Sequence, residues 1–195
     1  MKHPVDLLLE ARPVRLADVI SGAQVKVAGY VRYGRETLVA PLSGIRCAAY
    51  QVIVGERPLD PFFSNWLWGR RSWRQLHEET AARDFLLDDG TAQASVAAGS
   101  LALINDHFDL YEESGLFRTI GAAGRALIRR LGFSGRAFTV AERRIVEGQC
   151  VAVYGRCSLV ADPSGASDAQ YRTAASRIRL EGAPLLISSE PRCLT

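Results

Sequence analysis

Lysine is almost missing from this chain: of its 24 basic residues only Lys2 and Lys26 are lysine. That bias resembles the codon usage of a GC-rich genome and carries no functional weight. Cysteine is scarce and dispersed, with Cys47, Cys150, Cys157 and Cys193 forming no Cys-x-x-Cys pair. Neither a zinc knuckle nor a dense disulfide framework is therefore signalled, and a reduced compartment is the simpler expectation. Histidine is equally thin. His77 and His107 have Glu78, Glu79, Asp106 and Asp109 nearby, but no His-x-x-x-His ligand pair exists, so neither a metal nor a cofactor is expected. Long apolar runs are also missing, none approaching the roughly 20 residues of a membrane span. The N-terminal stretch Val5 to Leu9 is interrupted by Asp6 and closed by Glu10, which fails as a signal peptide. The expected location is cytoplasmic or peripheral to a membrane, although a segment taken from between two flanking spans would read the same way. A net charge of +3, spread along the chain rather than massed in a tail, is too small to announce a nucleic-acid protein.

What is present is an ordinary globular composition, 48% hydrophobic and 23% charged, in 195 residues. That is enough for one well-buried core or two small fused barrels. Ala23 to Arg32 alternates around Val25, Val27, Gly29 and Val31, and with Thr37 to Ala40 it reads as a hairpin. Cys47 to Val54 is rich in β-branched residues and ends at Gly55, a third strand. A Pro-bearing aromatic loop follows, and Ser72 to Thr80 returns as a strand. Phe85 to Leu87 and Ala92 to Ala97 flank Asp88-Asp89-Gly90-Thr91, a hairpin signal because Asp-Gly supplies the turn geometry. Between Ser114 and Gly132, Leu116, Ile120, Leu127 and Leu131 share one helical face, opposite Arg118, Arg125 and Arg129. Strand character resumes at Arg136 to Val140, Gln149 to Leu159, Thr173 to Leu180 and Leu185 to Ser188.

An internal echo runs through this pattern. Gly22 leads into Val25-Lys26-Val27-Ala28-Gly29 as Gly148 leads into Val151-Ala152-Val153-Tyr154-Gly155. Strands of this kind are frequent in OB-like barrels, where glycine allows strong coiling. The expected fold class is mainly β: an OB-like barrel or two fused β-barrel halves, with one inserted amphipathic helix. The chain, 1–195, reads as a single domain with halves at 14–110 and 136–189 and the helical insertion at 114–132.

The run Leu38-Val39-Ala40-Pro41-Leu42-Ser43-Gly44-Ile45-Arg46-Cys47-Ala48-Ala49-Tyr50 resembles the central signature of the GIDE domain, also described as a beside-a-membrane domain. Phe85 to Thr91, Glu142-Arg143-Arg144-Ile145 leading to Gly148, and Pro184 to Ser188 agree with it in order and spacing, so that the resemblance covers about residues 14 to 189. In mitochondria-anchored E3 ubiquitin ligases this domain sits between two membrane helices, and a cytosolic zinc RING performs the ligase chemistry. The present sequence carries only the domain. The resemblance, which extends to bacterial relatives with signalling or defence contexts, implies a non-catalytic sensing or protein-interaction module. Two alternatives stand beside it: an OB-like nucleic-acid or nucleotide-binding module, and a component of a ubiquitin-ligase-like system with catalysis on another chain.

Two segments are candidate ligand- or partner-binding sites. In Pro41-Leu42-Ser43-Gly44, Pro fixes φ and Gly supplies positive φ for a tight connection, and the amides around Ser43 could form a small anion-binding concavity. No acid or base adjoins Ser43 in sequence to support nucleophilic catalysis. The loop from Phe62 to Arg74 interleaves aromatic side chains with arginine, notably Trp66, Trp68, Arg70, Arg71 and Arg74. Trp73 pointing inward with Trp66 and Trp68 covering the barrel end is one use of these residues; contact with a protein or a membrane surface is another. Nucleic acid is the less favoured partner, because Asp60, Glu78 and Glu79 dilute the positive field. The helix is read as core-packing, with its arginine face leaving anionic lipid a testable ligand. Asp88 and Asp89 are accounted for by their turn.

Overall fold

A computed structural model describes residues 4–56, 74–104, 109–112, 118–119, 121–133, 138–161 and 176–195. After helix α1 (Pro4–Glu10) come strands β1 (Gln24–Tyr33), β2 (Leu38–Val39), β3 (Arg46–Cys47), β4 (Ala49–Glu56), β5 (Arg74–Ala82), β6 (Phe85–Asp88), β7 (Gln93–Val96), β8 (Leu101–Leu103), β9 (Asp109–Glu112) and β10 (Arg118–Thr119). Helix α2 (Ala122–Arg130), strands β11 (Phe138–Ile145), β12 (Cys150–Ala161) and β13 (Ser176–Ser188), and helix α3 (Pro191–Leu194) complete the described chain.

Five strands close on themselves in the order β1-β6-β7-β13-β12 and back to β1. Every neighbour is antiparallel except β7 and β13, which run parallel. This is a five-stranded Greek-key barrel of OB type, in which closure removes the sheet edges. Alternation sends Val27, Val31, Phe85, Leu87, Val96, Val151, Val153, Leu180 and Ile187 inward, where they form the main core. The chain is mainly β with a closed barrel, and among the described residues one barrel is observed rather than two fused halves. Its strands come from both ends of the sequence, so neither 14–110 nor 136–189 closes a barrel alone.

The internal echo is resolved by pairing. β1 and β12 lie side by side in register from Gln24↔Arg156 to Tyr30↔Cys150. Each is entered from a glycine in the left-handed region, Gly22 at φ 87° and Gly148 at φ 77°. The two similar segments are thus neighbouring staves of one wall.

Three expectations about local pairing change. Ala23–Arg32 and Thr37–Ala40 do not form a hairpin: β1 is occupied on both edges by β12 and β6, so β2 pairs with β3 instead. The expected helix over 114–132 is shorter, because Arg118–Thr119 pairs with β9 as a strand and extended backbone at Gly121 starts the helix at Ala122. Leu116 and Ile120 have no described side chains. The segments 173–180 and 185–188 are joined in one strand, β13, which bends at Gly182 (φ 109°) opposite a register shift between Tyr154 and Arg156 of β12.

A second sheet, in the order β10-β9-β11-β4-β5, stands beside the barrel. Leu127 and Ile128 of α2 pack on Val52, Val54 and Val140 of this sheet, so the helix is a core-packing element. On the barrel wall, Leu8 of α1 and Cys193 of α3 cover Ala152 and Leu186. Lys26 lies buried beneath them and donates to the carbonyls of Leu8 (3.0 Å) and Thr195 (2.8 Å), with burial pulling its pKa below that of an ordinary lysine. Among the described residues no helix is long and apolar enough to cross a membrane.

Barrel coiling sets a demand at Gly29, where a Cβ would stand 2.7 Å from the Asp88 carbonyl oxygen. Because that neighbour is backbone, Gly29→Ala is expected to cost about 1–3 kcal/mol of unfolding free energy. Gly99→Ala, which meets nothing within 4 Å, is expected to stay within about 0.5 kcal/mol of wild type. Paired urea denaturation curves measure both.

Candidate functional site

The Asp-Gly hairpin is spent on structure. Asp89 accepts from the amides of Leu16 (2.6 Å), Thr91 (2.8 Å) and Ala92 (3.0 Å) and from the Thr91 hydroxyl (2.7 Å). Burial opposes its ionisation, but these donors together hold its carboxyl below the usual carboxylate range. Asp88 closes the same turn by accepting from the Gly90 amide at 2.9 Å.

Pro41, Ser43 and Gly44 lie in the link between β2 and β3, with Gly44 at φ 69°. The Ser43 hydroxyl accepts from the Ile45 amide at 3.3 Å. The amides of Leu42 (2.7 Å) and Ser43 (3.3 and 3.4 Å to the two oxygens) converge on a carboxylate of the chain itself, Glu142 on β11. Glu142 is completely buried and meets the Arg144 guanidinium at 3.4 Å. The concavity is therefore filled from within, tying the link to the second sheet. The Cys47 thiol beside it is pushed up to about 11 by burial and by the charge of Glu142, leaving it a protonated core group at neutral pH.

Trp66, Trp68, Arg70 and Arg71 fall outside the described residues. Arg74 opens β5, its backbone in register with Glu56, and its side chain is likewise undescribed. Farther along the same strand pair, the Tyr50 hydroxyl donates to Glu79 at 2.8 Å, and Arg130 of α2 reaches that carboxylate at 3.2 Å. Burial and then the Glu79 carboxylate push Tyr50 up to about 12, so this network fastens the helix to the sheet with a neutral phenol.

A recess open to a ligand lies elsewhere among the described residues. A cleft of about 860 Å³ crosses the outer surface of the barrel where β1 ends, β6 begins, β7 ends and β13 begins. This is the strand face and loop region through which OB-type barrels hold their ligands. Arg35, Arg83 and Arg177 supply guanidinium groups, and Leu86 and Ala98 supply apolar surface. Gly34 makes the rim geometry feasible, because any Cβ there would collide with the Asp84 carbonyl oxygen.

Both carboxylates of the cleft are already engaged. Glu36 pairs with Arg83 at 3.0 Å, and Asp84 accepts from the Ala98 amide at 2.9 Å. Tyr33 is engaged as well: its hydroxyl donates to the Arg46 carbonyl at 2.6 Å, and the Arg46 guanidinium sits 5.1 Å from its ring centroid. The cleft thus offers positive charge over an apolar floor. Among the described residues no group of three His, Cys, Asp or Glu is placed to hold a metal ion.

None of Arg35, Arg83 and Arg177 was identifiable as a site from sequence. They are far apart in the chain and meet only because β13 returns beside β7. Comparison with protein-family models, with curated proteins and with solved structures finds no match to this chain.

Removing the carboxylate of Glu142 takes the acceptor from two part-buried amides and removes an ion-pair partner of Arg144 from the core. Glu142→Ala is expected to lower the unfolding free energy by about 3 kcal/mol. Thermal and denaturant unfolding of the variant beside wild type measure the loss.

Proposed function

We propose that this chain is a non-catalytic sensing or protein-interaction module of the GIDE type, working without a RING and presenting the cleft between β1, β6, β7 and β13 to its partner. The observation that carries this reading is the cleft itself: open to solvent, arginine-rimmed and floored by apolar side chains. Interfaces use such combinations, with apolar surface for affinity and arginine for orientation. The sequence signature around Pro41 to Tyr50 supplies the resemblance to membrane-anchored E3 ubiquitin ligases. A position peripheral to a membrane and a place in a ligase-like system whose catalysis resides on another chain belong to the same proposal.

A nucleic-acid or nucleotide ligand is the second reading, favoured by the cleft's position on the face OB barrels use. It is the weaker of the two, because the ring of Tyr33 is covered on one side by Arg46, and Phe85 is only 1% exposed inside the barrel. Single-stranded nucleic acid binding relies on exposed aromatic faces on which bases stack.

Site-specific photo-crosslinking tests the proposal. A photoreactive residue at Leu86, in the cleft, is expected to capture one protein reproducibly in the native host, with capture competed by untagged wild-type chain. The same residue at Ala126, on the exposed side of α2, is expected to capture none competably. Crosslinks from Leu86 to nucleic acid alone would favour the second reading, and an absence of any competable crosslink would contradict both.

A further inference from the structure

We infer that α1 and α3 form a two-part cover over the outer wall of the barrel, latched by the Lys26 ammonium and opening as one unit.

The latch begins with strand alternation. Val25 and Val27 of β1 point into the barrel, so Lys26 between them faces outward, opposite Tyr154 of β12. An outward lysine ordinarily keeps its ammonium in water. Lys26 is instead only 1% exposed. The elements above it are α1, which rests on β12 and β13, and α3, which rests on β12 beside α1.

Its two acceptors belong to different helices. Leu8 lies in the last turn of α1, and Thr195 is the residue that caps the carboxyl end of α3. Main-chain oxygens at a helix's carboxyl end have no partner within the helix, so one ammonium serves both ends at once. Among the described residues no carboxylate side chain pairs with Lys26, and its hydrogen bonds are these two alone. The charge is therefore tolerated under the cover only while both oxygens are in place.

Coupling follows from that dependence. If α1 lifts alone, the ammonium keeps a single acceptor while still lying beneath α3, and a buried donor that loses its acceptor is costly. Lifting α3 alone has the same effect. Lifting both returns the ammonium to water, so the state with one helix docked is the disfavoured one. The helices are short, seven and four residues, and Leu8 and Cys193 are their completely buried apolar anchors. Small elements with few buried contacts open at low free-energy cost. Opening bares Ala152, Tyr154 and Leu186 on the wall, with the amine of Lys26 beside them.

Pulse labelling read by peptide mass spectrometry tests the latch. Lys2 and Lys26 are the only lysines, so an amine-acetylating reagent reports Lys26 cleanly, while a thiol-alkylating reagent reports Cys193 on α3 and Cys157 inside the barrel. Leu9→Pro breaks α1 from its exposed side and leaves Leu8 in the sequence. It is expected to speed labelling of Lys26 and of Cys193 together by about tenfold, with Cys157 unchanged. In Lys26→Met, which keeps the length of the side chain without its charge, Leu9→Pro is expected to speed Cys193 by no more than about twofold. Faster labelling of Lys26 without Cys193 would mean that the helices open independently. An equal acceleration of Cys193 in Lys26→Met would assign the coupling to direct packing between the helices; either result overturns the inference. Should Leu9→Pro also release Cys157, the barrel itself has opened, and the milder Leu7→Ala is judged by the same two criteria.

Discussion

The parallel contact between β7 and β13 is the constraint from which the rest of the structure follows. Consecutive strands pair readily as hairpins, and β6 and β7 do so around Asp-Gly. The β7–β13 contact joins residues 94–96 to 178–180, with β8 to β12 and α2 intervening in sequence. Parallel neighbours require such a crossover. Without this contact, β13 would remain attached to β12 and the staves would form an open, edge-bearing sheet. With it the wall closes, and Leu180, Val96 and Phe85 share one interior.

Closure also explains where the remaining elements stand. Of the strands between β1 and β6 and between β7 and β12, β8 pairs with β13 and β2 with β3, while β4, β5, β9, β10 and β11 assemble their own sheet, on which β4 and β11 pair across eight register positions. Glu142 links that sheet to the connection after β2, and Tyr50 with Glu79 and Arg130 secures α2 on it. These polar devices fix accessory elements to one another and account for several of the charged and polar groups that stand out in the sequence. The cleft is left at the place where the barrel's first connection leaves β1 and returns to β6, with Arg177 delivered by β13.

Much of the fold was legible because it depends on local chemistry. Alternation in Val25 to Val31 and in Val151 to Val153, positive φ at Gly22 and Gly148, and the Asp88 to Thr91 turn are all imposed by the residues themselves. Pairing was less legible. Thr37 to Ala40 is near β1 in sequence, yet β1 already has two better partners, a competition decided at long range. The helix was placed too early because the periodicity of Leu127 and Leu131 was extended backward through Gly121, which starts the helix rather than continuing it. The tight connection at Pro41 to Gly44 was legible from its turn chemistry, but that Glu142, 99 positions from Ser43, takes the amides of Leu42 and Ser43 lay beyond local sequence. The cleft was illegible for the same reason: Arg35, Arg83 and Arg177 carry no shared spacing and are assembled by topology.

Nuclear Overhauser contacts between the backbones of β7 and β13 test barrel closure most directly. The structure predicts contacts linking Ala94, Ser95 and Val96 with Ile178, Arg179 and Leu180 in parallel register, alongside the antiparallel contacts of β13 with β12. Contacts from β13 to β12 alone, with none to β7, would mean an open sheet, and with it the arrangement of Arg177 beside Arg35 and Arg83 would be lost.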